Sequence, residues 1–567
     1  MAYDSHPLGG AGKARKLYQQ LDTERSPWLT HWVELADHMD PMLVRRDKSD
    51  RNQGERSRGK IIDNTGTLAL NTLQAGMMSG MTSPARPWVR LMLPDPELME
   101  YEPVKEWLSG ETKRLLSIFH RSNTYLMLHQ IYGQLGLGGT GCSITMDSFE
   151  RVVDHYTAPL GEFCLAGDFN GRVTTVARKF EKTVEQLVAE FGRENCSQTV
   201  RSLYDAGNYY AGIPVIHVIQ PRRERDASKR DGRNKPFSSC YIEAGETGEN
   251  YLREGGYDDF PALCPRWARR SGDIYGTSPA MTVLGDCKQL QHEQLFKGRA
   301  IEYQVNPPLQ APTSFEQSPR DMLPGGMNFG DMNTPNSRIQ SIWDVPLRLS
   351  DLREDIYDVR GRINAGMFAD VFRMFDNYGA DTNMTATEVA ERHEEKMLML
   401  GPVLERLHGE LLRPLVENTF ARMVETGLTA PPPPELEGRE LQVEFVSVLA
   451  QAQRAVGTNG IDRFIGSLGV VAQMKPDVLD KFDADQWAEM YSDSLGVDPK
   501  MIIGNERVGF IRQARAEREQ QEQQMAAAAQ QAETASKLGS IDTSGQNGAT
   551  DVLNMFQGYN SPSAVDV

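Results

Sequence analysis

Gly136, Gly138 and Gly141, in the stretch "QLGLGGTGCSITMD", have the spacing G-x-G-x-x-G. Glycines so spaced let backbone amides close on a pyrophosphate at a helix N-terminus, provided that a strand precedes them and a helix follows. Such a site would make the chain a nucleotide-binding enzyme. Here the order is reversed. Leu128, Ile131 and Leu135 recur at helical spacing before the glycines, after a start at Ser122-Asn123. After them Cys142, Ile144 and Met146 alternate with Ser143 and Thr145, the period of a strand. The glycines are therefore expected to end a helix through a left-handed cap, with Gly138 at positive φ, and to bind no nucleotide.

Other residues capable of chemistry are not grouped to perform it. The sequence has no H-E-x-x-H, no G-x-x-x-x-G-K-[ST] and no G-x-S-x-G. His31 and His38 are seven apart beside Trp32, which suits core or surface histidines better than metal ligands. Asp258-Asp259 and Asp351/Asp355 read as solvent-facing carboxylates. The six cysteines, Cys142, Cys164, Cys196, Cys240, Cys264 and Cys287, are dispersed without a C-x-x-C, so free buried thiols are expected. No enzyme activity, metal or cofactor is expected.

The elements that position these residues must be several. A chain of 567 residues exceeds what one hydrophobic core usually holds. Charged residues at 25% and a net charge of −17 argue against a protein that coats nucleic acid. No apolar run reaches the length of a membrane span or a signal-peptide core, so the chain is expected to be made and kept in the cytosol.

Residues 13–40 read as a helix, followed by a solvated loop, "RRDKSDRNQGERSRGK". Leu70, Leu73 and Met77 mark the next helix, in which Ala69, Ala75, Gly76 and Gly80 allow close packing. Ser83-Pro84 ends it before a strand at Trp88–Leu91. Helices follow at 103–120 and 124–136. Strands then dominate, with a hairpin turned by Asn170-Gly171 and a short helix whose capping box is Thr183 and Gln186. Strands "IPVIHVIQP" and "FSSCYIEAG" flank the basic loop "RRERDASKRDGRNK", read as a solvated hairpin tip.

The second half differs. One helix is expected from 279 to 304. A second, capped by Ser350, is marked by Leu352, Ile356, Val359, Ile363, Met367 and Val371. Between them lies a Pro-, Gly- and Asn-rich insertion of a length that is uncommon without a function. The polar loop "DNYGADTNM" follows, and a helix starts at the capping box of Thr385 and Glu388. It is expected to bend at Gly401-Pro402 and near Pro414, to bury Leu404, Leu407, Leu411 and Leu415, and to stop at Pro431–Pro434. A strand in "LQVEFVSV" and helices near 449–470, 477–495 and from 505 complete the pattern. The composition beyond 520 is that of a disordered tail.

Four features carry a family resemblance: "IIDNTGTLALNTLQAGMMSGMTSPARPWVRL", "TNMTATEVAERHEEK", "LQVEFVSVLAQAQRA", and the order of long helix, insertion and long helix. Over residues 10–515 the chain resembles the head-to-tail connector, or portal, family of short-tailed bacteriophages. The resemblance implies an α+β, predominantly helical subunit. Residues 1–275 would be N-terminal helices and an α/β wing, 276–304 and 350–376 the two stem helices, and 305–349 the clip. Residues 377–385 would be a channel loop, 386–455 a return to the wing, 456–520 a helical crown, and 521–567 the tail.

The resemblance further implies a homo-oligomeric ring of about twelve subunits at one capsid vertex. Double-stranded DNA would pass through it without sequence preference, and terminase, tail adaptor, capsid and scaffolding proteins would dock on it. Its place would be the virion, and the host cytoplasm during assembly, with no membrane partner. Asn377, Tyr378, Asp381, Thr382 and Asn383 are thereby placed in the channel loop, and Arg360 and Arg362 on the channel-lining stem. A net acidic chain suits such a conduit, because a wall of unpaired arginines would hold DNA rather than let it slide. The alternatives are another connector or tail-adaptor component and, less well supported, a nucleotide-binding enzyme.

Overall fold

The computed structural model describes residues 10–46, 60–95, 98–99, 101–229, 231–246, 250–305, 309–310, 340–341, 349–376, 400–436, 438–439, 441–446, 464–473, 475–495 and 505–539. They fall into two units, Met1–Asp483 with Ser494–Gly496, and Ala484–Asp493 with Val497–Val567. The first unit opens with helices α1 (Gly10–His38) and α2 (Thr65–Met81), strand β1 (Val89–Met92), and helices α3 (Glu102–Arg121) and α4 (Thr124–Gly138). Strands β2 (Ser143–Ser148), β3 (Val152–Thr157), β4 (Phe163–Gly167) and β5 (Val173–Thr183) follow, then α5 (Val184–Phe191) and α6 (Gln198–Asp205). Strands β6 (Gly212–Pro221), β7 (Phe237–Glu243), β8 (Arg253–Tyr257) and β9 (Ala262–Leu263) lead into α7 (Pro279–Val305). After β10 (Leu309–Gln310) and β11 (Gln340–Ser341) come α8 (Leu349–Gly366), α9 (Ala369–Asp376), α10 (Arg413–Glu425) and β12 (Gln442–Phe445). The second unit contains α12 (Asn505–Gly539), preceded by α11 (Ala484–Leu495).

Period-two alternation builds the larger sheet, an antiparallel array in the order β4-β5-β6-β7-β8. On β6, Ile216 and Val218 pack with Ala11, Ala14, Tyr18 and Leu21 of α1. Val215 points the other way and joins Val184, Leu187 and Phe191 of α5 and Val200 of α6. The sheet is thus covered by α1 on one face and by α5 and α6 on the other. Asn170-Gly171 turns the β4–β5 hairpin with Gly171 at φ +74°, and both bonds of the Thr183–Gln186 capping box are present.

The main core centres on α2, whose buried Leu70, Leu73, Met77 and Met81 meet α1, α4 and the helices of the second half. Gly76 and Phe372 pack so closely that any Cβ at 76 would overlap the Phe372 ring. Ala75, expected in this close contact, is exposed. Strand β1 pairs antiparallel with β12, Val89 opposite Phe445, so the chain returns to its beginning some 350 residues later.

The structure departs from the expected elements at several points. The helix expected to run through Val371 breaks after Gly366, where Phe368 takes φ +56° and packs on Trp267 at 5.9 Å. The apolar spacing of Ile363, Met367 and Val371 continues across the break, so periodicity could not reveal it. Ser350 lies inside α8 and bonds Asp351 rather than capping the helix. Residues 400–407 are helical through Gly401-Pro402, and the irregularity is a π turn at His408–Leu412, in which Arg413 N–H reaches the His408 carbonyl just before Pro414. Leu404, Leu407, Leu411 and Leu415 are buried as expected, but the helix ends at Glu425, two residues before left-handed Gly427, and not at the prolines. Finally, α12 continues to Gly539, because the Ala-, Gln- and Glu-rich run has high helix propensity even though its residues 509–530 are exposed. The start at Thr385, the channel loop and most of 305–349 lie outside the described residues.

Candidate functional site

Helices α7 and α8 pack side by side through Val283, Leu284, Cys287 and Leu290 on one and Ile356, Val359 and Ile363 on the other. Asp63, in the turn before α2, ties both to the body. Its Oδ1 accepts from Thr65 N–H (2.9 Å) and hydroxyl (2.5 Å), and its Oδ2 accepts from Gln294 Nε2 of α7 (2.9 Å) and Arg360 Nη2 of α8 (2.6 Å). Gln291 of α7 pairs with the same turn: its Oε1 accepts from Ile62 N–H (2.6 Å) and Asp63 N–H (2.8 Å), and its Nε2 donates to the Asp63 carbonyl (2.9 Å). Burial opposes ionisation of Asp63, but the hydrogen bonds from Thr65 and Arg360 outweigh it and hold its pKa below the usual carboxylate value.

The two stem arginines named from the sequence are therefore both engaged. Arg360 is bound to Asp63, while Arg362 donates to Asp286 Oδ1 of α7 (3.0 Å) and pairs with Asp358 one turn away. On the same pair of helices Glu293 has its pKa raised, by burial first and then by the charge of Asp355. Asn377, Tyr378, Asp381, Thr382 and Asn383 lie outside the described residues. Sequence reasoning missed Asp63, Gln291 and Gln294. Asp63-x-Thr65 before an apolar helical run was a readable turn signal, but nothing local named its partners on α7 and α8.

A second junction joins the strand region to the return helix. Arg266, 2% exposed, donates from Nε (3.1 Å) and Nη2 (2.5 Å) to the two oxygens of Glu410, and its own N–H binds the same carboxylate (3.0 Å). Glu410 sits in the π turn, whose widened backbone carries that side chain to Arg266.

The glycine run is a packing device. It ends α4 at Gly139, the residue that takes positive φ (+72°), whereas Gly138, expected there, is still helical. Gly138 is glycine because a Cβ would come within 2.6 Å of Leu160 Cδ1. Trp32 Nε1 donates to the Gly138 carbonyl (2.9 Å) and Ser278 Oγ to that of Leu137 (2.7 Å). A helix C-terminus with its carbonyls already satisfied offers a phosphate nothing. An open cavity of about 600 Å³ between α1, β5 and α5 is lined by opposite charges already paired with each other, Arg25 with Asp22, Arg45 and Arg178 with Glu162, and Lys182 with Glu190. Among the described residues no cluster of His, Cys, Asp or Glu suits a metal, and no helix is long and apolar enough to cross a membrane.

A family profile described as bacteriophage head to tail connecting protein matches residues 11–503. A relative called "Probable portal protein", from Bordetella phage BPP-1, is 54% identical over 540 residues, 95% of this chain and 97% of its own length. Another, called "Portal protein", from Salmonella phage epsilon15, is 40% identical over 545 residues, 96% and 98% of the two chains. A mixed helix-and-sheet body with a tethered pair of helices, matched end to end in this way, defines a phage connector. The chain belongs to the bacteriophage head-to-tail connecting protein family.

Proposed function

We propose that this chain is the subunit of a phage portal, a ring at one capsid vertex through which double-stranded DNA is packaged and later ejected. The reading is carried by 54% identity to a protein called "Probable portal protein" over nearly the whole of both chains. In it, copies of the chain form the ring, α7 and α8 are the stem, residues 305–349 the clip, and the first-unit sheet and its helices the wing. Terminase, tail adaptor, capsid and scaffolding proteins dock on the ring, which assembles in the host cytoplasm. Its work is structural.

The charge pattern suits sliding. Arg360 and Arg362 both bring carboxylates with them, so the stem carries guanidinium groups whose charge is already compensated. Compensated cations release few counterions from DNA and grip it weakly. Asn377, Tyr378, Asp381, Thr382 and Asn383 form the loop that touches DNA in the lumen.

Electron microscopy of the purified chain tests the assembly, with a ring around an axial hole expected and compact single subunits refuting it. Replacing 377–383 by a Gly/Ser linker tests the loop. Rings should form, but particles should package or retain less than full-length DNA. Normal full-length packaging would remove the loop from the mechanism.

A further inference from the structure

We propose that Cys142 and Cys264 are a disulfide-forming pair, a built-in staple that peroxide closes. Their thiols touch, Sγ to Sγ, at 3.8 Å, and both are buried and free. The register of β2 on β9, Ser143 opposite Leu263 and Ile144 opposite Ala262, continues to place Cys142 opposite Cys264. The flanking backbone bonds fix the kind of pair. Gly141 N–H donates to the Pro265 carbonyl (3.0 Å) and Thr145 N–H to that of Pro261 (2.9 Å), while the Cys142 carbonyl turns away to accept from Ala158 N–H (2.9 Å). Positions 142 and 264 are thus a non-hydrogen-bonded antiparallel pair, whose Cα atoms stand about 4.5 Å apart. That separation falls within the range a disulfide spans, so a side-chain rotation closes the bond without moving the strands.

The chemistry balances. The Cys264 sulfur attacks hydrogen peroxide, the O–O bond breaks, and a sulfenic acid and one water result. The Cys142 sulfur then attacks that sulfenic sulfur and expels its oxygen as a second water, leaving one S–S bond. Two thiols are oxidised by two electrons and one peroxide is reduced. Burial, and then the neighbouring Cys142 thiol, push the Cys264 pKa up, so little thiolate forms and the step is slow. Strand β9 is a two-residue edge strand, and its opening admits the oxidant.

A reducing cytosol keeps the pair open, and an oxidising exterior favours closure. That the oxidant is met by a particle outside the cell rests on the portal reading; the pairing itself does not. The closed bond would join positions 122 apart in sequence, and it lies two residues before Arg266.

The test uses the purified full-length chain, folded, with and without hydrogen peroxide, followed by thiol blocking in denaturant and peptide mapping without reductant. The expected result is one linked peptide joining Cys142 to Cys264, loss of two of the six titratable thiols, and a higher unfolding midpoint that a reductant reverses. Cys264→Ser should lose no thiol pair under the same treatment. Six thiols still titratable, a link between any other pair, oxidation of either cysteine to sulfinic acid without a link, or a lowered midpoint would each overturn the proposal.

Discussion

Arg360 and Asp63, 297 positions apart, meet through hydrogen bonds of 3.2 and 2.6 Å from one guanidinium to one carboxylate oxygen. Asp63 is 8% exposed, so removing the cation leaves a nearly buried charge with only neutral donors. Arg360→Met should therefore lower unfolding stability by about 1–3 kcal/mol in urea titrations. Arg362→Met, whose carboxylate partners Asp286 and Asp358 are both more exposed than Asp63, should change it much less. Equal effects from the two would mean that the Asp63 junction does not anchor α8.

Arg266 and Glu410 make the stronger case. With Arg266 2% exposed, Glu410→Gln strips the charge from a carboxylate that meets three donors. Leaving a buried guanidinium without its counter-ion costs about 3 kcal/mol or more. Thermal melts should show a lowered midpoint, and proteolysis should cut first near the π turn. A midpoint unchanged from the parent would count against this junction as a stability element.

How far the sequence spoke depends on the range of the interaction. The α4 glycines, the Thr183–Gln186 capping box and the Asn170-Gly171 hairpin are local, and each was readable from a few residues. The Phe368 break was not, because it depends on Trp267, about 100 positions away. Asp63 and Arg266 were silent for the same reason: each pairs with residues on helices far along the chain, and a lone acid or arginine looks like any surface charge. The channel role of residues 377–383 rests on the family resemblance alone, since they lie outside the described residues and composition offered only a polar stretch with Gly379.

The two adjacent glycines separate conformation from space. At Gly139 φ is +72° and a Cβ would overlap the Gly276 carbonyl, in a backbone segment held where Gly276 N–H donates to the Thr140 hydroxyl (2.8 Å) and Thr277 pairs with Ala268. Gly138 is helical, and its Cβ would meet Leu160 Cδ1, a side chain that can shift. Gly139→Ala should abolish soluble expression or cost several-fold in yield, and Gly138→Ala should be milder. Neither should alter nucleotide affinity, since calorimetry with NAD or ATP is expected to give no binding to the parent. Micromolar binding that Gly138→Ala removes would reverse this assignment.

His155 sets an acid limit. It is 6% exposed, with Nε2 3.0 Å from the Thr124 hydroxyl and Nδ1 3.1 Å from that of Thr145, a setting made for a neutral ring. Burial first, and then the charge of Arg422, lower its pKa to about 4. His217 is held neutral in the same way, by burial and by Arg178, whose Nε donates to its Nδ1. Above about pH 6.5 both rings are neutral whether the chain is folded or not, and stability is full. As pH falls below that value the unfolded chain takes up protons that the folded chain refuses, so stability drops until the folded pKa is reached. For His155 the loss between pH 6.5 and about 4 amounts to about 3 kcal/mol. His155→Gln keeps a polar group between the two threonines but cannot be protonated. Its unfolding midpoint should start lower than the parent's near pH 7 and fall less between about pH 7 and about pH 5. If the variant's midpoint fell as steeply as the parent's, the acid sensitivity would have to come from groups other than His155.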